Sequence, residues 1–507
     1  MTYMREDYKS RTLPRITQEF MRFRVLLIFS ILAILGAPYS VLSQSIPQLI
    51  DINPGSDDSD ARDFTIADDK VFFRADDGIH GSELWWYDCI SEDTSFIDIN
   101  QGPTGSDVRD IVANGDKVFF TADDGIHGRE LWIYDCTTED TTLVDINPGM
   151  SSSNPNRLAS IRDKIFFGAD NGIHGNEFWW YDCTMGDTSF VDIRNGPLPS
   201  DPRLFFGKGD TIFFSANNGT HGAELWLFDC VGGSTSFIDI RTGLLSSFLT
   251  RFIACEDRIF FTAFTDERGH ELWWYNCTLG DTASIDIQAG PGSSTPQNMN
   301  TLNGKLVFNA NDGIHGEELW IYDCTTGDTS FFDIHPGPMG SEVRRDLVAG
   351  DRYFFNADDG MRGDELWIYD DNGSLSLVEI NPGPQGSNVR PFYVHNNRLW
   401  LEANNGLFGT ELGYYDLVTE ELQFFDLFPG PDDSDIDDFV ADGNKVFFQA
   451  DDGVHGEEAY RFDISMADFP PIVPALGEWG IILLGLGCLI VGVLGLSRVD
   501  ESEPISV

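Results

Sequence analysis

A nine-residue phrase that recurs nine times, apolar runs bounded by turn residues, and the lack of a helical period predict an all-β protein, a β-propeller of nine four-stranded blades. The clearest copy reads Asp-Gly-Ile-His-Gly-Ser-Glu-Leu-Trp at residues 77–85. Its glutamate recurs every 47 residues, with one interval of 46, at Glu83, Glu130, Glu177, Glu224, Glu271, Glu318, Glu365, Glu411 and Glu458. We expect one structural unit per copy, because so small a unit cannot bury its own apolar faces.

One copy, residues 98–144, predicts four strands. A turn at 98–103 precedes an apolar run at 108–113, and runs rich in strand formers follow at 117–122, 130–135 and 141–146. Val118, Phe119 and Phe120 are consecutive, so both faces of this strand must be covered. Sheets packed face to face around an axis meet that demand. A solenoid of stacked sheets is the alternative, although it would need polar capping repeats.

The two ends of the repeat region predict how the ring closes. The ninth copy stops at Asp463 without a fourth strand, whereas residues 48–52 match the fourth strands at 95–99 and 142–146. An N-terminal strand that completes the last blade would close the ring and remove exposed edges. Two smaller rings or an open arc are the alternatives, but nothing interrupts the period.

The segments outside the repeats predict an exported, membrane-anchored protein. Residues 1–43 have the basic start, the apolar run at 25–37 and the small-residue exit of a secretory signal, with an uncleaved anchor as the alternative. Residues 480–497 carry no charge over a length that spans a membrane, and Trp479 is placed as an interfacial anchor. The predicted domains are therefore a signal region (1–43), a propeller (44–464), a linker with a motif (465–479), a transmembrane helix (480–497) and a tail (498–507).

A short motif before the apolar segment resembles the IPTL-type C-terminal sorting signal of exported bacterial envelope proteins. It consists of Pro474, Leu476, Glu478, Trp479 and Gly480. The resemblance implies retention in the membrane and a sorting protease as a partner. The tail departs from the basic tail of that family, because three acidic residues follow Arg498.

The repeat itself resembles the bacterial ELWxxDGT repeat, which occurs in tandem in exported proteins. The resemblance covers residues 48–463 and implies a propeller-like extracellular protein without a defined reaction. The Asp-Gly-Thr of that family is altered here, since Asp88 is followed by Cys89 and Asp135 by Cys136. Copies eight and nine also lack the tryptophan.

The charge of the chain limits its partners. Asp and Glu number 83 against 32 Lys and Arg, which gives a net charge of −51. Nucleic acid and anionic membrane surfaces would both repel such a chain, so neither is expected as a partner. A membrane contact is expected through the C-terminal helix alone.

The Asp-Gly loops are the candidate metal site, with calcium as the cofactor they could hold. Calcium prefers several oxygen ligands from a flexible loop. The candidate ligands are Asp76, Asp77, Asp123, Asp124, Asp358, Asp359, Asp451 and Asp452. The spacing is not that of an EF-hand, and some copies carry Asn-Asn instead. Because Asx-Gly is also what a tight turn needs, we favour turn chemistry over metal binding.

Three other recurring residues invite a structural interpretation. The loop histidines occur in register in six copies, with at most one per copy, so they would be spread around a ring. We expect each to bond its own loop or the neighbouring blade. The repeat glutamate is expected to bond backbone donors or the next blade. Six cysteines share one repeat position, and we expect small buried residues rather than a disulfide ladder, because equivalent points on neighbouring blades are too far apart. Cys255 would meet Cys277 if the blade brings their turns together.

The leading hypothesis of function is a binding or adhesion scaffold at the bacterial cell envelope, with a glycan or a protein as the ligand on the propeller face. A propeller-based hydrolase or lyase and a structural surface-layer component are the alternatives. No catalytic constellation is recognisable, so we do not expect an enzyme. The spots that break the repeat, residues 265–270 and 400–402, read as ordinary drift.

Overall fold

Nine antiparallel sheets of four strands each make up residues 47–463, the part of the chain that the computed structural model describes. Within those residues no helix occurs that is long and apolar enough to cross a membrane. The predicted signal, linker, sorting motif, transmembrane helix and tail lie outside the described residues and stay predictions. The all-β class and the nine blades are confirmed.

Each blade contains strands A, B, C and D in chain order. Blade 1 comprises β2 (Arg62–Ala67), β3 (Lys70–Asp76), β4 (Ser82–Asp88) and β5 (Thr94–Ile97). Blade 2 comprises β6 (Arg109–Asn114), β7 (Lys117–Asp123), β8 (Arg129–Asp135) and β9 (Asp140–Val144). Blade 3 comprises β10 (Asn156–Ile161), β11 (Lys164–Asp170), β12 (Asn176–Asp182) and β13 (Asp187–Val191). Blade 4 comprises β14 (Arg203–Lys208), β15 (Thr211–Asn217), β16 (Ala223–Asp229) and β17 (Thr235–Ile238).

The remaining blades repeat this order. Blade 5 comprises β18 (Thr250–Cys255), β19 (Arg258–Thr265), β20 (Gly269–Asn276) and β21 (Thr282–Ile285). Blade 6 comprises β22 (Gln297–Leu302), β23 (Lys305–Asn311), β24 (Glu317–Asp323) and β25 (Thr329–Phe332). Blade 7 comprises β26 (Arg344–Ala349), β27 (Arg352–Asp358), β28 (Asp364–Asp370) and β29 (Leu375–Val378). Blade 8 comprises β30 (Arg390–His395), β31 (Arg398–Asn404), β32 (Thr410–Asp416) and β33 (Leu422–Phe424). Blade 9 comprises β34 (Asp437–Asp442), β35 (Lys445–Asp451), β36 (Glu457–Asp463) and β1 (Gln48–Ile50).

Strand A is the innermost strand of each blade. The backbone contacts between neighbouring blades join A strands to A strands, for example β2 with β6 and β2 with β34. Because consecutive strands are antiparallel, the B–C loops and the D–A linkers lie at one end of the propeller, which we call the linker end. The A–B and C–D turns lie at the other end, the turn end.

The core is divided into nine apolar clusters, and each cluster joins two neighbouring blades. In one of them, Phe72 and Leu84 of blade 1 pack with Phe120 and Tyr134 of blade 2. Each blade therefore buries both faces, as the consecutive apolar residues of its B and C strands require. The prediction that the blades shield one another is confirmed.

The N-terminal strand closes a single ring. β1 pairs antiparallel with β36, so that Gln48 lies opposite Arg461 and Ile50 opposite Ala459. Ile50 and the nearby Ile52 are buried between blades 9 and 1. The alternatives of two smaller rings or an open arc are wrong, because the apolar clusters continue across all nine junctions, including that between blades 9 and 1.

One disulfide joins two blades, and its partner differs from the one expected. Cys255, at the A–B turn of blade 5, bonds Cys324 of blade 6, with 6.1 Å between the Cα atoms. Cys277 of blade 5 does not take part, because the cysteines of this repeat position point towards the A–B turn of the preceding blade. The Cys277 thiol accordingly lies near Lys208 of blade 4.

The other cysteines of this position fit the prediction in part. Cys136 is buried, three others are half-buried, and Cys277 is exposed. No disulfide ladder forms among the described residues, as the distance argument predicted. Among the described blades, only blade 5 has a cysteine at its A–B turn, which is Cys255. The disulfide with Cys324 therefore results from this one substitution in the repeat.

The ring closure predicts a specific loss of stability. Replacing Ile50 by alanine leaves a cavity between blades 9 and 1, so the free energy of unfolding should fall by about 2–4 kcal/mol in urea titrations. The matched control is Ile90→Ala, at a C–D turn where the side chain is 75% exposed. Equal effects of the two substitutions would contradict closure through β1.

The cysteine geometry predicts where new disulfides form. Ala67 ends strand A of blade 1 and packs with Cys136 of blade 2, so Ala67→Cys should form a disulfide with Cys136. The control is Ala349→Cys in blade 7, which faces Leu417 of blade 8 and should remain reduced. Peptide mapping under non-reducing conditions measures both. If the thiol introduced by Ala67→Cys stayed unpaired, the pairing of Cys255 and Cys324 would not follow from the repeat position.

Candidate functional site

The Asp-Gly loops form turns through their own side chains. In blade 1, Asp76 Oδ1 accepts the Gly78 amide at 2.8 Å, and Asp77 Oδ1 accepts the amides of Ile79 and His80. The same bonds recur at the other candidate metal ligands, which are Asp123, Asp124, Asp358, Asp359, Asp451 and Asp452. These carboxylates act as turn acceptors. Between residues 47 and 463 no three His, Cys, Asp or Glu side chains gather in a metal-binding group, and calcium binding stays a prediction.

The loop histidines bond their own loops, as predicted. His80 Nδ1 lies 2.7 Å from Asp77 Oδ2, and the His80 ring packs on Phe96 of strand D with 4.9 Å between ring centres. The hydrogen bond to Asp77 raises the pKa of His80. His127, His315 and His455 repeat this pairing with the aspartate of their own loop. Each pair fixes the tip of its own loop, and each blade that has such a pair has only one.

The repeat glutamates are buried in all nine blades, with none of their side chains exposed to solvent. The Glu83 carboxylate accepts the backbone amides of Ile99 and Asn100 and the Ser106 hydroxyl, the last at 2.6 Å. Ser106 lies in the linker that begins blade 2, and its carbonyl accepts the Asp123 amide of that blade. Each glutamate therefore holds the end of its own blade and the start of the next one. This confirms the interpretation of the glutamate as a link between blades.

The ninth glutamate makes the same link across the ring closure. Glu458 accepts the Ile52 amide at 3.0 Å and the Asn53 amide at 3.3 Å, and its carboxylate bonds Ser59. Burial of these carboxylates raises the pKa of Glu83 and Glu458 to about 7. The glutamates are a structural series rather than a catalytic one.

The blades differ from one another where strands A and B face each other near the linker end. The first residue of strand A pairs with the fifth of strand B, and no two blades share the same pair. The pairs are Arg62–Arg74, Arg109–Thr121, Asn156–Gly168, Arg203–Ser215, Thr250–Thr262, Gln297–Asn309, Arg344–Asn356, Arg390–Glu402 and Asp437–Gln449. A repeated frame thus supports a set of polar side chains that is not repeated.

Residues of three of these pairs line a cavity of about 470 Å³ at the linker end between blades 7, 8, 9 and 1, which we call the rim cavity. Its walls include Arg62, Arg345, Arg390, Glu402, Asp437 and Glu457. The A strands bring the arginines, strand B of blade 8 brings Glu402, and strand C of blade 9 brings Glu457. The cavity is therefore formed only when the ring closes.

An ion-pair network in which Glu402 is the buried member lines the rim cavity. Arg390 Nε lies 3.0 Å from Glu402 Oε1, and Arg390 Nη1 lies 3.0 Å from Asp437 Oδ1. The Glu402 residue is 8% exposed. Burial outweighs the two nearby arginines and raises the pKa of Glu402 to about 7. Glu402 can thus exchange a proton near neutral pH, which a general acid or base requires.

A second cavity of about 510 Å³ adjoins the rim cavity and shares Arg345, Arg390 and Asp437 with it. We call it the wall cavity, because the A strands of blades 6 to 9 line it. Phe392 and Phe439 stack in its wall with 5.1 Å between ring centres. The two cavities together offer charged groups, hydrogen-bond acceptors and an aromatic surface.

Each of the two segments that depart from the repeat contributes one residue to a cavity, while their interpretation as drift stays a prediction. Glu402 lines the rim cavity, and His270 lines a cavity of about 430 Å³ with Arg251 at the linker end of blades 5 and 6. Burial and the Arg241 charge lower the pKa of His270. Aligning the nine copies by strand would have shown that these residues depart from the repeat near the same end of their blades. Their convergence with residues of other blades needs the ring.

Comparison with known proteins finds only remote structural similarity. No protein-family model matches the chain, and no curated protein matches it either. A prolyl endopeptidase is 8% identical with a TM-score of 0.40, over 68% of this chain and 54% of that one, so this chain spans about half its length. The β-propeller domain of the Trilobed protease from Pyrococcus furiosus is 12% identical (TM-score 0.34, 63% and 97% coverage), and BamB from Moraxella catarrhalis is 13% identical (TM-score 0.36, 71% and 98%). Similarity this remote does not transfer an activity.

The buried glutamates predict that the protein is more stable in mild acid. Each raised pKa means that the folded state keeps a proton which the unfolded state releases above pH 4.5, so the stabilisation is full below that pH and is lost as the pH rises to about 7. The histidines with raised pKa act in the same direction. The free energy of unfolding should therefore be larger at pH 5 than at pH 8.

Two variants isolate the glutamate contribution. Glu83→Gln should reduce the difference between pH 5 and pH 8, by up to about 1.4 kcal/mol for each unit of the removed pKa shift. Glu92→Gln should leave that difference unchanged, since Arg461 lowers the pKa of Glu92 and keeps it ionised throughout this range. Urea unfolding at the two pH values measures both. A wild-type protein that is more stable at pH 8 would contradict the prediction.

Proposed function

We propose that this protein is an exported binding scaffold of the bacterial cell envelope, which takes a polar ligand at the rim cavity. One observation carries the proposal. The nine blades share their buried frame, but their non-repeated polar side chains lie at one end, where four blades enclose a cavity of about 470 Å³. Concave sites with a few convergent polar groups are where proteins bind small ligands.

Export is supported by the chemistry of the chain. The predicted signal at 1–43 would deliver the propeller to an oxidising compartment, and the disulfide between Cys255 and Cys324 fits that compartment. The resemblance to the exported ELWxxDGT proteins points the same way. The acidic surface keeps a protein with a net charge of −51 soluble and self-repelling outside the cell.

The position of the last blade's outer strands supports tethering with the site exposed. Asp463, the last described residue, pairs with Lys445 beside the A–B turn of blade 9, at the turn end. The rim cavity lies at the linker end. The predicted membrane segment would therefore be joined to the propeller at the end opposite the rim cavity. A sorting protease acting at the motif would leave the propeller itself intact.

A hydrolase or lyase is the second candidate, and Glu402 favours it. Its pKa of about 7 is what acid–base catalysis near neutral pH needs. The Arg390 side chain between Glu402 and Asp437 holds the two carboxylates in place. The binding function ranks first, because no described residue forms a nucleophile–base pair with Glu402.

The binding function predicts a ligand that is lost when the rim cavity is filled. The purified full chain should bind members of a glycan array or of a panel of envelope proteins. Asp437→Trp, which fills the cavity, should abolish that binding. Arg109→Trp stands at the same strand position in blade 2 and should preserve it. No ligand from either panel, or equal binding by both variants, would contradict the proposal. Ligand cleavage that Glu402→Gln abolishes would favour the enzyme.

A further inference from the structure

Arg345 is a guanidinium of the rim cavity that forms no ion pair within residues 47–463. It is the second residue of strand A in blade 7, where a β-bulge shifts the register and the backbone has a φ of 51°. The bulge turns its side chain towards blade 8, where Nη1 donates to the Asn388 carbonyl at 2.5 Å. The side chain is half-buried and lines both the rim cavity and the wall cavity. Most of its donors therefore face the cavities.

The other arginines around it are already paired. Arg344, the preceding residue, contacts Glu342 and Asp364. Arg62 contacts Asp60 and Glu457. Arg390 contacts Glu402 and Asp437, as described above. Unlike these three neighbours, Arg345 has no carboxylate in contact within the described residues. Burial lowers the pKa of Arg345 and outweighs the more distant charge of Glu402.

The surroundings of Arg345 suit one kind of anion. Five carboxylates of the rim cavity accept hydrogen bonds, namely those of Glu402, Asp433, Asp435, Asp437 and Glu457, while Asn388 and Gln449 both accept and donate them. The stacked Phe392 and Phe439 of the wall cavity offer an apolar surface. Hydroxyl groups fit the acceptors, a ring carrying C–H groups fits the phenyl faces, and a planar carboxylate fits the guanidinium fork in a bidentate pair.

We propose that the rim cavity binds a sugar that carries a carboxylate, and that Arg345 pairs with this carboxylate. The inference rests on the proposed binding function and names its ligand class. The ligand carries few charges, such as one uronic acid residue within a neutral oligosaccharide. A polymer with a charge on every unit would be repelled by a protein of net charge −51.

The test compares sugars that differ only at the carboxylate. Trisaccharides with a single galacturonate, glucuronate or mannuronate residue, their methyl esters and their neutral counterparts are titrated into the full chain by calorimetry. At least one acidic trisaccharide should bind about tenfold or more tightly than its ester, as a charge-assisted pair predicts. Arg345→Gln should remove that preference, and Arg345→Lys should restore part of it.

Arg344→Gln is the matched control, because it removes the same charge from the adjacent position outside the cavity. It should keep the affinity for the acidic sugar within about twofold of wild type. Thermal unfolding shows whether each variant is folded. If Arg345→Gln does not fold, the preference for the acid over the ester is measured in Arg345→Lys instead. Equal binding of acid and ester, or equal losses in Arg344→Gln and Arg345→Gln, would overturn the inference.

The failure of this inference differs from the failure of the proposed function. If the wild type binds neutral sugars or proteins and Asp437→Trp does not, the proposed scaffold function is retained. The inference of a carboxylated sugar as the ligand is then wrong. An acidic sugar that keeps its preference over the ester in Arg345→Gln would move the anion site elsewhere. Absence of binding to all sugars and envelope proteins would remove both.

Discussion

The contact on which the ring depends is the buried carboxylate between blades. A glutamate without solvent exposure bonds the backbone after strand D and the serine that begins the next blade, as at Glu83 and, across the closure, at Glu458. Such a group must find hydrogen-bond donors, because an unpaired buried carboxylate is costly. The separation from glutamate to serine is 23 residues at Glu130 and Ser153 but 22 at Glu365 and Ser387. The missing residue falls in the C–D turn of blade 7, at the outer edge of the blade. The deletion therefore leaves the contacts between neighbouring blades unchanged.

Because the buried glutamates and the apolar clusters hold the blades together, residues outside these contacts can differ from one blade to the next. The B and C strands must stay apolar on both faces, since each cluster belongs to two blades. The facing residues of strands A and B at the linker end lie outside these clusters and follow no such constraint. Their side chains differ from blade to blade, and the ring sets them beside one another around the axis. A symmetric frame can therefore hold an asymmetric site, which specific recognition requires.

The sequence predicted what depends on periodicity. A single repeat was enough to predict the strand order, the closure by residues 48–52 and the bonding of Glu83 and His80. The structure confirms these predictions. The partner of Cys255 could not be predicted, because only the packing of one blade on the next shows that Cys324, and not Cys277, is within reach. The rim cavity did not follow either. Arg62 and Glu457 lie near opposite ends of the repeat region, and only a closed ring brings them together.

The position of Arg345 shows how the fold keeps a cation free in an acidic protein. Loop and linker carboxylates are abundant at the linker end, and Arg344 reaches two of them. The bulge near the start of strand A gives Arg345 a positive φ, as it does the equivalent Asp63, Asp110 and Asp438 in other blades. Burial then weakens the hydration of the guanidinium without placing an anion in contact with it. The conformation therefore belongs to the repeated frame, and blade 7 places an arginine on it beside two cavities.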